Sequence, residues 1–463
     1  MAYQGKYYFI VRSRSSQMIL LTVVYLFSLY ICNDQYINIF RYSIGYVALS
    51  IVSFRAVWYS NNAKINLFFL YLVAFSLFIG GRFWVGVFDH DLDVFQPTYF
   101  FVYNVTPKIV SELMTWVYSF LYFVTIGYVM LRRRCRVIKE IIDRKMDSKK
   151  CVSFAKIVFP LILICILIQG LNEIYYAFTY GYGVSLVDVT EKEYNKSFIT
   201  VINSIVGVMM LAFTNVYAKS EYLKYLKIYI FYGILVLIGG SRFAFASIFL
   251  ICIWLYSKEK DIGISKILIY VIAGVIVLLV IFSLSARGAG LEGFIVFDAL
   301  EVFLYSTGIS LMIFHASTLV HGYPWIAYIQ TFIPGSTFLY SKLSDQKLHM
   351  QDLTFQGHMC YDLNPKLYAD GNGLGWSSLS DLYLYSGSSM LVFCILALGF
   401  GLFFAFLENK ADVNLKYRFV LISISQGVLM MPRGTSSPLF VGVIYSLIFI
   451  FLVKKILVNH VEK

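Results

Sequence analysis

The sequence predicts an all-α polytopic membrane protein, with about twelve transmembrane helices and one large loop late in the chain. Three observations carry that expectation. The chain of 463 residues is 59% hydrophobic and only 14% charged, where a soluble domain is roughly 25% charged. Its apolar runs recur along the whole length, so the membrane is the solvent of the fold and not the site of a single anchor. Its basic residues fall in short loops between those runs, as the positive-inside rule requires. The formal charge of +12 is therefore a topology signal, and a nucleic-acid partner is not expected. The first apolar run is long and no small-residue cleavage site follows it, so no cleavable signal is expected.

Spans are expected at about 18–33, 41–58, 65–86, 113–131, 157–178, 198–218, 227–239, 243–257, 266–285, 383–407, 418–432 and 437–453. Both termini then lie on the cytoplasmic side. The run Arg132, Arg133, Arg134 and Arg136, continuing to Lys156, anchors that orientation and attracts anionic lipid. The pair 227–239 and 243–257 is short for about 30 Å of hydrocarbon. Gly239, Gly240, Ser241 and Arg242 separate its halves, which makes a hairpin tip or a broken helix at depth; such backbone must line a cavity or be buried in protein. The chain divides into spans one to nine (1–285), a large translocated loop (286–382) and three final spans (383–463). Within the loop, the apolar segment 302–320 is flanked or interrupted by Asp298, Glu301 and His315. It is expected to be an amphipathic or re-entrant helix rather than a crossing.

Four arginines stand on the side opposite the lysine-rich loops: Arg82, Arg242, Arg287 and Arg433. Each guanidinium costs about 2.5–3.5 kcal/mol at a helix centre and less toward the interface. An anionic ligand is the simplest reason for all four. Arg82 follows Gly80 and Gly81, Arg287 precedes Gly288, and Arg433 precedes Gly434; a neighbouring glycine lets a ligand approach the backbone. Arginine presents a planar fork of donors suited to phosphate oxygens. A pyrophosphate fits this set, and snorkelling to lipid phosphates or pairing with a loop carboxylate is the alternative for any one of them.

The segment with Gly371, Gly373 and Gly375 leads into a helix start that carries Asp381. Its carboxylate either complements the helix dipole or takes a proton from a sugar hydroxyl. Five of the six histidines, His90, His315, His321, His349 and His358, fall on the translocated side, and His358 is nearest in sequence to the glycine-rich segment. Asp89, His90, Asp91 and Asp93 form an acidic turn or a weak divalent-metal motif. Glu173, with Gln169 and Asn172, makes a polar patch at one end of span five. The seven cysteines show no CxxC pairing, and no P-loop, HExxH or GxSxG occurs. No metal and no cofactor is expected.

At these residues the chain resembles the bacterial oligosaccharide repeat-unit polymerases, the O-antigen polymerase (Wzy-like) family. The shared features are the multi-span layout, the dominant late loop, the Gly/Ser-Arg break in mid-chain and the entry into the tenth span through Ser377, Asp381, Tyr383 and Gly387. The acid is Asp where the family more often has Glu, and Ser388-Ser389 follows Gly387. Trp376 stands where related ligases tend to carry histidine, which leaves the base unassigned. The resemblance implies a fold like that of GT-C-type polymerases and ligases, in the bacterial inner membrane, with the active site facing the periplasm. It implies inverting glycosyl transfer from a glycan on undecaprenyl pyrophosphate to a second lipid-linked repeat unit, with a chain-length regulator as a candidate partner. Asp381 and His358 are the candidate catalytic residues; Arg242, Arg287, Arg82 and Arg433 are the candidate pyrophosphate ligands. Two other functions compete: a metal-dependent GT-C transferase using a lipid-monophosphate sugar, with Asp91 and Asp93 as ligands, and a flippase or transporter of lipid-linked glycans.

Overall fold

A computed structural model describes residues 13–32, 36–61, 64–89, 93–96, 105–132, 149–180, 193–238, 241–259, 296–333, 336–343, 349–369 and 373–458, with isolated positions at 269, 273, 274 and 276. Every regular element among them is helical. In chain order the first nine are α1 (Arg14–Cys32), α2 (Ile39–Ser60), α3 (Leu67–Phe78), α4 (Gly81–Val85), α5 (Pro107–Leu131), α6 (Lys149–Tyr180), α7 (Glu193–Tyr217), α8 (Lys219–Ile238) and α9 (Arg242–Glu259). Next come α10 (Val296–Thr307), α11 (Ser310–Leu319), α12 (Trp325–Phe332), α13 (Ser336–Leu343), α14 (Phe355–Leu363) and α15 (Pro365–Ala369). The C-terminal part holds α16 (Ser378–Tyr385), α17 (Met390–Ala411), α18 (Leu415–Ser423), α19 (Ser425–Met430) and α20 (Ser437–Val458). Short 3₁₀ turns occupy Met350–Leu353 and Met431–Arg433.

Among the described residues, five helical stretches are long and apolar enough to cross a membrane: Arg14–Cys32, Pro107–Leu131, Lys149–Asn172, Phe297–Leu319 and Met390–Ala411. Shorter apolar helices add Leu67–Phe78, Ile205–Tyr217, Phe243–Lys258 and Ser437–Val453. The protein is membrane-embedded, and its regular structure among the described residues is all helical. The ninth expected span, 266–285, lies almost wholly outside the described residues.

Local chemistry sets the helix starts. Asn38, Asn66 and Asn414 each cap a helix by accepting a backbone N–H, as does Thr106 ahead of Pro107, and such caps satisfy donors that the first turn leaves open. At the other end of α16, Gly387 has φ +57° and Ser388 φ +61°. The left-handed turn ends one helix and re-aims the chain into α17, which is why a glycine sits there.

The bundle is built around α5 against α17. A Cβ added to Gly127 would collide with the backbone of Leu398, and one added to Gly401 with that of Val124. The two backbones therefore touch directly, the small-residue packing expected between helices in lipid. At the Arg132 end of this pair lies a buried polar cluster. Glu408 accepts from the Phe68 N–H at 3.1 Å, from Asn66 Nδ2 at 2.9 Å and from the Tyr128 hydroxyl at 2.5 Å. Arg132 donates to Asp412 at 2.8 Å and to Asn409 and Asn61.

The segment 302–320 is two helices, α10 and α11, separated at Gly308. Residues Ser310 to Ser317 of α11 are all buried. Its Leu311, Met312 and Phe314 join the main core, while Ile313 and Ala316 join a second core with Val320, Ala327, Phe355, Met359 and Trp376. α11 thus joins the two cores instead of lying along a surface.

Candidate functional site

The turn Met431–Arg433 packs against α3 and α16. It carries the exposed Arg433. The Arg433 guanidinium lies 5.8 Å from the centre of the Phe78 ring and 6.0 Å from that of Phe243. Those two rings meet edge to face at 4.0 Å. Phe78 closes α3, and Phe243 follows Arg242 at the start of α9. Three elements far apart in sequence therefore meet at one point, and the backbone of Arg242 opens a helix one residue from it. Each cation–π contact contributes roughly 0.5–1 kcal/mol at an exposed site. Arg287 lies outside the described residues.

Asp381 is held behind this point. Ser377 caps α16 through the Leu379 N–H, which directs the next turn of the helix inward. The carboxylate is fully buried. Its Oδ1 accepts from Trp376 Nε1 at 2.7 Å, and its Oδ2 accepts from the backbone N–H and the hydroxyl of Ser436 at 2.5 and 2.7 Å. Burial pushes its pKa up to about 6, against the opposing pull of the hydrogen bonds from Ser436 and Trp376. A carboxylate so engaged works as a clasp: it fixes the loop three residues beyond Arg433 to the start of α16.

His358 stands on α14, which Thr354 caps through the Gly357 N–H. Its Nδ1 lies 3.3 Å from Asp352 Oδ1, and its ring is 5.4 Å from that of Tyr323. Tyr323 is in turn 6.1 Å from Trp376, which stacks on Phe355 at 5.8 Å. His358 and Asp381 are thus joined through Tyr323 and Trp376 without touching one another.

Arg82 has a different environment. It is only 3% exposed and donates to the carbonyls of Tyr305, Val94 and Gln96 at 3.3, 3.0 and 2.8 Å. Its guanidinium lies over the Tyr305 ring at 4.3 Å. The adjacent glycine serves the fold: a Cβ on Gly81 would strike the Leu304 carbonyl, and one on Gly308 the Arg82 backbone. Arg82 therefore pins residues 93–96 to α10 through Nε and Nη1.

The family model for O-antigen polysaccharide polymerase Wzy matches residues 16–461. The chain belongs to the O-antigen polysaccharide polymerase Wzy family. Membership gives this Wzy protein a general role in O-antigen polymerisation, a polymerising glycosyltransferase-type activity and lipid-linked oligosaccharide substrates within a membrane. No curated protein and no solved structure matches it.

The alternative metal motif is only partly described. His90 and Asp91 lie outside the described residues, and Asp93 Oδ1 accepts the Phe95 N–H at 3.1 Å. Among the described residues, no three His, Cys, Asp or Glu side chains are grouped to hold a metal ion.

Sequence reasoning did not single out Phe78, Phe243, Ser436 or Asp352. Ser436 lies in a Thr-Ser-Ser run just before the last span, and Asp352 lies six residues before His358; only the fold gives either position meaning.

The clasp predicts an unusual intolerance of an isosteric change. Indole and backbone N–H groups can only donate, and Asp381 meets one at each oxygen. In Asp381→Asn the amide NH₂ must face one of them, whichever way it is turned. We expect a loss of about 1–3 kcal/mol, read as a lower unfolding temperature of the purified protein. The raised pKa adds a pH signature. The native state binds this proton more tightly than the unfolded chain, so the contribution of Asp381 is fullest below about pH 4 and is lost as pH rises through about 6. The Asn variant should lack that slope. An unchanged melting curve in Asp381→Asn would rule out the clasp.

Proposed function

We propose that this Wzy protein polymerises lipid-linked oligosaccharide repeat units on the periplasmic face of the bacterial inner membrane, by inverting glycosyl transfer in a GT-C-like setting, with both termini cytoplasmic. The donor is a glycan on undecaprenyl pyrophosphate and the acceptor is the sugar of a second lipid-linked unit. The acceptor hydroxyl oxygen forms a bond to the anomeric carbon from the face opposite the leaving group. The bond from that carbon to the pyrophosphate oxygen breaks, and undecaprenyl pyrophosphate departs with its electron pair. The hydroxyl proton passes to a base. The reaction runs without nucleotide sugar or metal. A chain-length regulator is a candidate partner.

The observation that supports this reading most is the meeting of Arg433 with Phe78 and Phe243 beside the start of α9. Arg433, Arg242 and Arg287 stabilise the charge that grows on the leaving pyrophosphate. His358, oriented by Asp352 through Nδ1, takes the proton at Nε2, the arrangement of a base held by a carboxylate. Asp381 acts as a positioning residue, setting the loop that carries Arg433. Arg82 supports the scaffold.

The test is polymer formation by the purified protein in vesicles supplied with pyrophosphate-linked repeat units. The expected product is a ladder of glycans that forms equally well in EDTA. Activity lost in EDTA and restored by a divalent ion would favour the metal-dependent transferase, and movement of substrate across the bilayer without new glycosidic bonds would favour a transporter.

A further inference from the structure

Residues 323–341 contain no Asp, Glu, Lys, Arg or His, a run of 19 uncharged residues in the middle of the late loop. The run does not form a span. It is split into α12 and α13, with Pro334 and Gly335 between them in the sequence. A helix of eight residues is about 12 Å long, far short of the roughly 30 Å of a bilayer core.

The two sides of α12 differ. Its Ile326, Ala327 and Thr331 are buried. The Tyr328 carbonyl accepts from the Tyr385 hydroxyl at 3.0 Å, and the Tyr328 ring meets Phe355 at 4.7 Å. This side belongs to the core that also holds Trp376. The other side presents Trp325, Ile329, Phe332 and Ile333, and α13 adds Leu339 and Leu343. Trp325 is 55% exposed and Leu343 is 85% exposed. The Trp325 and Tyr340 rings meet at 5.0 Å and link the two helices.

This apolar side is continuous with the membrane surface of the bundle. Phe332 packs on Phe440, in the first turn of α20, with ring centres 4.6 Å apart. Further along, α20 exposes Leu447, Ile448, Phe451 and Leu452, the outward face of an apolar helix in a membrane protein. An apolar face that leans on the end of such a helix meets the same acyl chains. Trp325 and Tyr340 have the amphipathic rings that settle at the headgroup level, and the exposed Lys342 has a stem long enough to reach headgroups from just below them.

We propose that α12 and α13 form a shallow hairpin immersed in the leaflet at the Ser437 end of α20, with the acyl chains of phospholipid covering its exposed side. Because the buried side of α12 is packed on Phe355 and Tyr385, the hairpin also sets the depth at which the Trp376–Asp381 clasp lies relative to the lipid surface. A lipid-linked substrate has its reacting atoms at a fixed height above its own tail, so this depth matters to a site that acts on it.

The experiment places an environment-sensitive NBD label on cysteines introduced at Ile329, Leu339 and Leu343, with Tyr361 of α14 as comparator and the unsubstituted protein as the labelling background. The protein is reconstituted in vesicles of phosphatidylethanolamine and phosphatidylglycerol. Labels at Ile329, Leu339 and Leu343 are expected to emit to the blue of the label at Tyr361 and to lose at least half their intensity to doxyl-labelled lipid. Aqueous iodide should quench Tyr361 alone. Quenching of the hairpin labels by iodide to the same degree as Tyr361 would overturn the proposal. So would resistance to both quenchers, which would mean that a second copy or another protein covers the face. Three label positions keep the result readable if one variant does not fold.

Discussion

Arg433→Ala is expected to lower the rate of polymer formation by about 10²–10³-fold, the range found when a single preorganised donor to a developing oxyanion is removed. Protein abundance and unfolding temperature should barely change. The argument rests on where the side chain sits. Arg433 is exposed on a turn, where its guanidinium lies against the rings of Phe78 and Phe243, so its removal opens no cavity in the core. Arg433→Lys should recover only part of the rate, because an ammonium has no planar fork and stacks poorly on rings. Arg82→Ala should behave in the opposite way. Its guanidinium is buried on three backbone carbonyls, so its loss should appear as a falling yield of folded protein. A full-rate Arg433→Ala enzyme would remove this arginine from the chemistry, and a stable but inactive Arg82→Ala would return Arg82 to it.

The contrast between these two arginines shows what could and could not be read from the chain. The all-helical membrane architecture was legible because hydropathy and the placement of lysine and arginine are properties of short windows, and lipid leaves the backbone few alternatives. The break before Arg242 was legible for the same reason: α8 ends at Ile238 and α9 begins at Arg242, although at 20 and 18 residues the two helices are longer than the expected spans. The motif of Ser377, Asp381, Tyr383 and Gly387 was legible as a helix entry, and its parts have local causes in the Ser377 cap and the left-handed turn at Gly387.

The direction of a side chain was not legible, because it depends on which distant element packs alongside. Asp381 read as a partner of the helix dipole or a proton acceptor, and its contact with Ser436, 55 positions away, which donates both hydrogen bonds at Oδ2, could not be seen. Gly81 read as room for a ligand, and the room is filled by the backbone of α10. The segment 302–320 read as amphipathic from three polar residues, but after the break at Gly308 residues Ser310 to Ser317 of α11 are all buried. Arg132 is the clearest case. It opens a run of basic residues that reads as a topology anchor, and its own side chain is only 7% exposed.

Glu408→Ala is expected to cost about 3–5 kcal/mol, the range for removing one partner of a buried ion pair. It should leave little folded protein after extraction at room temperature. Glu408 is 2% exposed, and its two oxygens collect donors from the start of α3 and the end of α5. Oε1 takes the Phe68 N–H in the first turn of α3; Oε2 takes Asn66 at the start of α3 and Tyr128 of α5, and Arg132 Nε lies 3.7 Å from it. Deleting the carboxylate strips the buried Phe68 N–H of its acceptor and leaves Asn66 Nδ2 on the Tyr128 hydroxyl, and among the described residues Arg132 keeps Asp412 as its counter-charge. Glu408→Gln separates charge from shape. The glutamine amide would turn its NH₂ toward Phe68 or toward Asn66 and Arg132, all of which can only donate here. A cost of about 1–3 kcal/mol is expected for that mismatch. The double variant Glu408→Ala with Arg132→Ala should lose less than the sum of the two single losses, because the second change removes the charge that the first left uncompensated. Thermal unfolding of the unsubstituted protein and the four variants in one detergent measures all of these terms. Strict additivity of the single losses would mean that Glu408 and Arg132 are not coupled, and the junction of α3, α5 and α17 would then be held by the Asn66, Tyr128 and Phe68 contacts alone.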